Sequence, residues 1–239
     1  MNPLKVAIVY FDQFAPLDVF GPMQAMNCCF ELLQNGDPDP KKPLFEHLSV
    51  CQFKQPDKGE KNNLVVCGSG SMGPGIVCSY NFDNLPEVDV VLIPGGVGTR
   101  TLVDDTSFIQ ELKKLVYKTP IVLSVCTGAA LLARTGFLDG KEATTNKIAW
   151  DFVTKDKHNQ KVNWTCPPRW VGKIDKASRT GYMTSGGVAA GIDMMLALIY
   201  ELFDDHPDDS IVKNTQNKME YTWNSDPAND PFAKLCPTC

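Results

Sequence analysis

Cys126 occupies a position where a nucleophile could act. An apolar run at 121–125 leads directly into it, and the small residues at 127–130 follow without a linker. This pattern predicts a buried strand that turns straight into a helix, which places the Cys126 side chain at the carboxyl end of a sheet. Amide groups at the start of that helix would lower the pKa of the thiol. The alternative is a buried structural cysteine, a frequent fate of free cysteine.

A carboxylate and a glycine pair follow two further predicted strands. Asp18 lies near the start of a helix, where it could complement the helix dipole or, if buried beside a thiol, carry a proton. Gly95 and Gly96 end a second apolar strand. Their N–H groups could stabilise negative charge near Cys126, or the pair could simply form a tight turn. The sequence alone leaves both alternatives open.

Two other patterns are not favoured as sites. Residues 68–73 match GxGxxG, but a strand-like segment follows them, whereas a dinucleotide site needs a helix to begin there. His47, His158 and His206 do not follow strand ends in the central region. A Cys–His hydrolase would need its base at such a place, so the sequence does not favour a protease or an amidase.

Strands and helices alternate along the chain. The predicted strands are 4–11, 44–53, 89–93, 121–125 and 181–185, and the predicted helices are 16–34, 105–117, the segment after Cys126, 188–203 and 208–221. This alternation predicts an α/β fold with one mostly parallel sheet and helices on both faces. We expect a turn-rich insertion at 35–43, a charged surface loop at 55–63 and short strands within 161–175.

The domain prediction places an α/β domain at 1–205, with 206–239 as a C-terminal helix and surface tail of the same domain. A chain of 239 residues is long enough for one such domain with a substantial core. The C-terminal CPTC, which begins at Cys236, is interpreted as part of the tail, because no second CxxC or histidine pair completes a zinc site.

The composition narrows the class of protein. A net charge of -5 and a pI near 5.2, with no basic stripe, argue against nucleic-acid binding. No apolar run approaches the roughly 18 residues of a membrane span. The N-terminal residues are interpreted as a first strand and not as a signal peptide. Nine irregularly spaced cysteines then indicate mainly reduced thiols and a cytoplasmic location.

Three longer motifs carry a family resemblance: VDVVLIPGGVGT, VLSVCTGAALLARTGFLDGKEATT and MTSGGVAAGIDMMLALIYELFD. Together they resemble the ThiJ/PfpI superfamily, whose fold is flavodoxin-like and similar to that of the class I glutamine amidotransferases. The segment FAPLDVFGP is similar to the LD-x-x-GP stretch of a narrower group, the isonitrile (isocyanide) hydratases.

The resemblance implies roles for individual residues. Cys126 matches the nucleophile of the superfamily, and Thr127 matches the residue that follows it in the hydratases. Asp18 stands where many members have a glutamate, and Gly95 and Gly96 match the glycine pair beside the nucleophile. The superfamily is commonly dimeric, so the resemblance also implies a homodimer.

One residue departs from the pattern, because Asn146 stands where related sequences often have a histidine. The function that the resemblance implies is hydration of an isocyanide, a small electrophile, with Cys126 as nucleophile and Asp18 as proton carrier. This scheme needs no histidine, cofactor or metal. The alternatives are a redox-sensing or stress-protective protein with an oxidisable Cys126, and a glyoxalase-like or deglycase-like enzyme.

Overall fold

The computed structural model describes residues 3–33, 45–52, 63–69, 73–203 and 211–236. The strands are β1 (Leu4–Val9), β2 (Phe45–Val50), β3 (Leu64–Val66), β4 (Gly75–Val77), β5 (Val90–Ile93), β6 (Ile121–Val125), β7 (Glu142–Ala143), β8 (Asn163–Trp164), β9 (Trp170–Asp175) and β10 (Thr180–Ser185). The α-helices are α1 (Pro16–Leu33), α2 (Thr99–Leu102), α3 (Thr106–Lys118), α4 (Gly128–Arg134), α5 (Trp150–Thr154), α6 (Ala190–Phe203) and α7 (Ile211–Met219). Short 3₁₀ turns lie at Lys157–Asn159 and Ala233–Leu235.

The central sheet has six strands in the order β2-β1-β5-β6-β10-β9. All neighbours are parallel except β9, which pairs with β10 in the antiparallel sense at one edge. Every residue of β5 and β6 is buried, as expected for central strands that are covered on both faces. The predicted mostly parallel α/β fold is confirmed.

The helices form two layers. Helix α1 contacts α6 and α7, whereas α2 and α3 contact α4. From β1 the chain crosses to β2 on one side, and from β5 it crosses to β6 on the other. Right-handed crossovers in opposite directions place their helices on opposite faces and leave a crevice between β1 and β5, at their carboxyl ends. Asp18 follows the first of these strands and Gly95 the second.

The sequence predicted most of these elements to within a few residues. Helix α3 begins after Asp105, whose side chain accepts a hydrogen bond from the Phe108 N–H at 3.0 Å, which is a standard N-terminal cap. Strand β3 is followed by strand β4 and not by a helix, as the sequence predicted for the residues after the glycine-rich segment. The insertion at 35–43, most of the charged loop at 55–63, and His206 lie outside the described residues.

The C-terminal tail is bound more firmly than a surface tail would be. Its Asp230 is paired with Lys147 and Arg169, and Arg169 is also paired with Asp193 of α6. We call these four buried side chains the tail cluster. The Arg169 N–H also donates to the Pro227 carbonyl at 2.6 Å. The tail therefore supplies charge that balances two buried cations of the domain.

The cysteines follow the expectation of reduced thiols with one exception. Seven of the described cysteines are free, and Cys166 is disulfide-bonded. Cys236 is buried beside Cys166 and Trp150, whereas Cys239 lies outside the described residues. Within the described ranges, no cluster of three or more histidine, cysteine, aspartate or glutamate side chains could hold a metal ion. None of the helices in the described ranges is long and apolar enough to cross a bilayer.

Candidate active site

Cys126 lies on a sharp turn between β6 and α4. Its φ angle is +58°, a left-handed conformation that is unusual for a residue with a side chain. Two carbonyls hold its N–H, those of Ser185 at 3.1 Å and Gly186 at 3.2 Å, and its own carbonyl accepts from the Thr145 hydroxyl at 2.8 Å. The end of β10 and the segment after β7 therefore fix the backbone of the elbow. The side chain is 7% exposed.

Asp18 is fully buried beside Cys126, in the first turn of α1. One carboxyl oxygen, Oδ2, accepts a hydrogen bond from the Gly95 N–H at 2.9 Å. The other, Oδ1, has no well-formed hydrogen bond among the described residues, and the carboxyl group interacts with the Cys126 side chain. Because a buried polar atom without a partner is costly, this oxygen is a strong candidate to hold or pass a proton.

Thr127 joins the elbow to the glycine turn after β5. Its hydroxyl oxygen accepts from the Gly96 N–H at 3.0 Å and from the Thr99 hydroxyl at 3.1 Å. The Gly95 N–H already donates to Asp18, so both glycine N–H groups have partners within the protein. The structure therefore does not favour them as donors to a bound intermediate. They instead hold the carboxyl of Asp18 and the hydroxyl of Thr127 in place.

The turn at Gly95 requires a residue without a side chain. A Cβ atom there would lie 2.6 Å from the Thr127 nitrogen and 2.8 Å from the Cys126 Cβ. Any side chain would push the elbow away from β5 and from Asp18. The glycine is thus needed for the close approach of two strand ends.

Asn146 is a further member of the site, although in the sequence it stands out only because related proteins often have a histidine there. Its Oδ1 accepts from the Ile148 and Ala149 N–H groups, each at 2.9 Å. This fixes the amide so that its NH₂ group faces away from that turn, and the side chain hydrogen-bonds Cys126. A Cβ on Gly187 would collide with the Asn146 Nδ2 atom, so that position also needs glycine. Asn146 is therefore a neutral donor to sulfur.

The thiol and the carboxyl titrate as a pair. Burial raises the pKa of Asp18 to about 7, although the hydrogen bonds from Gly95 and Cys126 act in the opposite direction. Burial and the charge of Asp18 raise the pKa of Cys126 to about 12, against the lowering effect of hydrogen bonds from Thr127 and Asn146. The expectation that the start of the helix gives a lowered thiol pKa is therefore wrong, because desolvation outweighs the amide groups.

The two pKa values have a chemical consequence. Two adjacent anions in a buried site repel each other, so above about pH 7 the pair holds one proton between sulfur and carboxylate, and below that pH both groups are protonated. The thiol becomes nucleophilic when that proton lies on Asp18. In the part of the chain that the structure describes, no histidine is among the groups that perturb Cys126, whereas His47 bonds Asn27 in another region.

Comparisons with known proteins identify the family of the chain. The model of the DJ-1/PfpI family matches residues 4–201. The isonitrile hydratase of Pseudomonas putida is 31% identical over 138 residues, which is 56% of this chain and 54% of that protein. The HTH-type transcriptional regulator GbdR of Pseudomonas aeruginosa is 31% identical over 128 residues, 49% of this chain and 29% of the regulator. The chain thus spans about half or less of the length of these curated relatives.

A solved structure supports the same fold. A ThiJ/PfpI family protein from Pseudomonas syringae superposes with a TM-score of 0.69 at 21% identity, covering 97% of this chain and 78% of that one. At this identity the likeness shows the fold alone. The family model, in contrast, covers most of the chain, including Asp18, Gly95, Gly96 and Cys126. The chain belongs to the DJ-1/PfpI family.

Proposed function

We propose that the protein hydrates isocyanides to N-substituted formamides, with Cys126 as nucleophile and Asp18 as proton carrier. The observation that carries this proposal is a buried thiol that contacts a buried carboxyl group, in which Oδ1 makes no well-formed hydrogen bond among the described residues. The similarity to an isonitrile hydratase supports it. An isocyanide suits such a site because its terminal carbon accepts both a nucleophile and a proton and has no leaving group to be protonated.

In the first step, the sulfur of Cys126 attacks the terminal isocyanide carbon. The thiol proton moves to Asp18 as the S–C bond forms, and Asp18 delivers it to the same carbon. The product is a thioimidate, in which the substrate nitrogen remains doubly bonded to carbon. The Thr127 N–H and the Asn146 amide, both of which hydrogen-bond sulfur, stabilise the thiolate character that develops during the attack.

In the second step, water adds to the thioimidate carbon and the S–C bond breaks. Asp18 takes one proton from the attacking water and gives it to the substrate nitrogen, which becomes the N–H of the formamide. As the C=O bond forms, the electron pair of the S–C bond returns to sulfur, and the remaining O–H proton passes through Asp18 to the leaving thiolate. The sum is one isocyanide and one water giving one formamide, with the thiol regenerated. Every proton transfer in this scheme uses Asp18, so it accounts for the absence of a histidine among the groups that perturb Cys126.

The surroundings of the site support an uncharged substrate. Leu17, Val97 and Val188 are exposed apolar side chains, and in the sequence each is adjacent to Asp18 or to a glycine of the turns that support the site. A hydrocarbon substituent can pack against such side chains while the isocyanide carbon points to Cys126.

The test is turnover of a panel of alkyl isocyanides and of methylglyoxal. Wild-type protein and the control Cys29→Ala, which alters a buried free cysteine of α1, should release formamide, whereas Cys126→Ala should not. Methylglyoxal consumption without isocyanide hydration would instead support the glyoxalase-like alternative and end the present proposal.

Assembly and location belong to the same proposal. We expect a cytoplasmic homodimer, on the basis of the family resemblance and the reduced cysteines. Packing within one chain explains the glycine of α6, because a Cβ on Gly191 would lie 2.9 Å from the Val125 side chain of the core. This small residue therefore does not by itself require a second chain. Light scattering at micromolar concentration should give the mass of two chains, and a monomer would contradict the expectation.

A further inference from the structure

Two further cysteines form a pair of thiols near the end of β2, three strands across the sheet from β6 and Cys126. Cys51 follows β2 and Cys78 follows β4, and both side chains are buried thiols that are not in a disulfide bond. We propose that Cys51 and Cys78 form a reversible dithiol–disulfide pair that closes when the protein meets a peroxide. This inference does not depend on the proposed function of Cys126.

The backbone brings the two cysteines to one place. The Cys51 N–H donates to the Tyr80 carbonyl at 3.1 Å, and Val50 and Tyr80 form an isolated parallel bridge. Asn63 connects the pair further, because its carbonyl accepts from the Cys78 N–H at 2.9 Å and from the Cys51 thiol at 3.9 Å. The Asn63 amide also donates to the Cys78 carbonyl at 2.7 Å. These bonds hold both cysteines next to Asn63.

The side chains themselves are in contact. Cys51 hydrogen-bonds the sulfur of Cys78, and this contact together with burial raises the pKa of Cys78. The nearby Cys67 is different, because its sulfur lies against Gly73, where an added Cβ would approach it to 2.5 Å. Because both cysteines bond Asn63 and their side chains hydrogen-bond each other, a disulfide would join two groups that are already neighbours in the reduced protein. The pair is therefore Cys51 with Cys78.

Cys51 is the thiol that an oxidant reaches first. It lines a cavity of about 290 Å³ at the end of β1, which is also lined by Tyr10, Phe11, Gln52 and Phe108. A peroxide molecule is small enough to enter such a space. The raised pKa of Cys78 makes the closing step slow compared with oxidation of an exposed low-pKa thiol, so the pair would respond to sustained oxidation.

The chemistry balances without any other cofactor. The Cys51 sulfur attacks one peroxide oxygen, the O–O bond breaks, and a sulfenic acid and one water are formed. The Cys78 sulfur then displaces the hydroxyl group of the sulfenic acid as a second water, forming the S–S bond. In sum, the two thiols lose two hydrogen atoms and two electrons to hydrogen peroxide, and a dithiol reductant reverses the reaction.

The disulfide would tie the β3–β4 hairpin to β2. That hairpin supports the segment before α1, because the Val66 carbonyl accepts from the Gln13 N–H at 2.7 Å and the Val66 N–H donates to Asp12 at 3.1 Å. Phe14 of the same segment bridges to Gly96 beside the elbow. The thiol pair is thus linked through hydrogen bonds to the wall of the candidate active site.

The test uses the full-length Cys126→Ala variant, so that oxidation of the nucleophile does not interfere. The protein is treated with hydrogen peroxide, unfolded, alkylated and digested without reduction, and the peptides are mapped by mass spectrometry. We expect a linked pair of peptides that contain Cys51 and Cys78, two hydrogen atoms lighter than the separate peptides, which dithiothreitol converts back. The neighbouring Cys28 and Cys29 of α1 should stay alkylated and serve as the internal control.

A matched variant makes the result decisive. Cys78→Ser in the same background should give no link, with Cys51 recovered as a sulfenic or sulfinic acid. The proposal is overturned if Cys51 and Cys78 are both recovered as alkylated thiols after peroxide treatment. A link from Cys51 to Cys67 in place of Cys78 would also overturn it.

Discussion

Among the residues that the structure describes, Asp18 and Asp193 are both fully buried, and their surroundings differ. Asp193 accepts hydrogen bonds from the Arg169 guanidinium, from the Tyr221 hydroxyl at 3.0 Å and from the Asn224 N–H at 3.1 Å. Asp18 accepts one from the Gly95 N–H, and its other oxygen lacks a well-formed bond. No cation pairs with Asp18 among the described residues.

The difference distinguishes a carboxylate that stabilises the fold from a carboxyl group that can transfer a proton. A buried charge that is paired and fully hydrogen-bonded holds its neighbours in one arrangement, as Asp193 does for the tail cluster. A buried carboxyl that is neither paired nor saturated has a raised pKa, as Asp18 does, and exchanges its proton near neutral pH. We therefore expect replacement of Asp18 to lower the catalytic rate and replacement of Asp193 to lower the stability.

The largest expected effect is on catalysis by Asp18→Asn. The asparagine keeps the shape of the side chain and can donate to sulfur, but it cannot pass a proton from sulfur to the substrate. The rate of isocyanide hydration should fall roughly 10²–10⁴-fold. Steady-state kinetics under saturating isocyanide measure this loss.

Asp193→Asn is the matched control, since it makes the same change in the other buried aspartate. Its rate per folded molecule should stay close to that of wild type. Hydration by Asp18→Asn at near wild-type rate would show that Asp18 only complements the helix dipole.

The second effect is on stability, where we expect replacement of Asp193 to cost more than replacement of Asp18. Asp193→Ala leaves the buried Arg169 without its closest partner, which should lower the free energy of unfolding by about 3–5 kcal/mol. Asp18→Asn removes a carboxyl group that is itself costly to bury and should cost far less. Urea unfolding of both variants at pH 8 measures the difference. Equal losses would mean that the two aspartates have the same structural role.

The third effect is a pH dependence of the stability that is caused by the titration of Asp18. Its pKa is about 7 in the folded protein, whereas the ordinary value of an aspartate, 3.8, applies to the unfolded chain. The folded state therefore binds the proton more tightly. The resulting stability is fully present below about pH 4 and is lost as the pH rises through 7. Relative to Asp18→Asn, the wild type should lose about 2–4 kcal/mol between pH 4 and pH 8. A difference that is constant with pH would contradict the raised pKa.

The smallest effect is expected at Asn146. Asn146→Ala removes one neutral donor to sulfur while Asp18 and Thr127 remain, so the hydration rate should fall about tenfold. Ile148→Ala changes an exposed neighbour and is the control. If Asn146→Ala hydrates isocyanides as fast as Ile148→Ala, the amide only caps the turn at 148–149.

The sequence predicted the parts of the molecule that depend on local patterns. Continuous apolar runs identified β5 and β6, and the break after Val125 located the elbow, because burial on both faces and a strand-to-helix turn each leave a clear signature. The position of Asp18 after the first strand also followed from element order. These features require no knowledge of how distant segments meet.

The remaining features depend on long-range contacts. The partners of the Gly95 and Gly96 N–H groups come from Asp18 and Thr127, which lie on other elements. Asn146 reaches Cys126 only because two backbone N–H groups turn its amide, and Asp230 reaches Lys147 and Arg169 from the tail. The thiol pKa was mispredicted for the same reason, since the sequence shows the helix start but not the depth of burial.

The most direct test is the mass of Cys126 during turnover. Wild-type protein mixed with an alkyl isocyanide and quenched in acid should show a fraction of chains heavier by one whole isocyanide, since addition expels no leaving group. Peptide mapping should place that mass on Cys126, and Asp18→Asn should alter how much of the adduct accumulates. Formamide production by wild type with no adduct on Cys126, together with full activity in Cys126→Ala, would contradict the account.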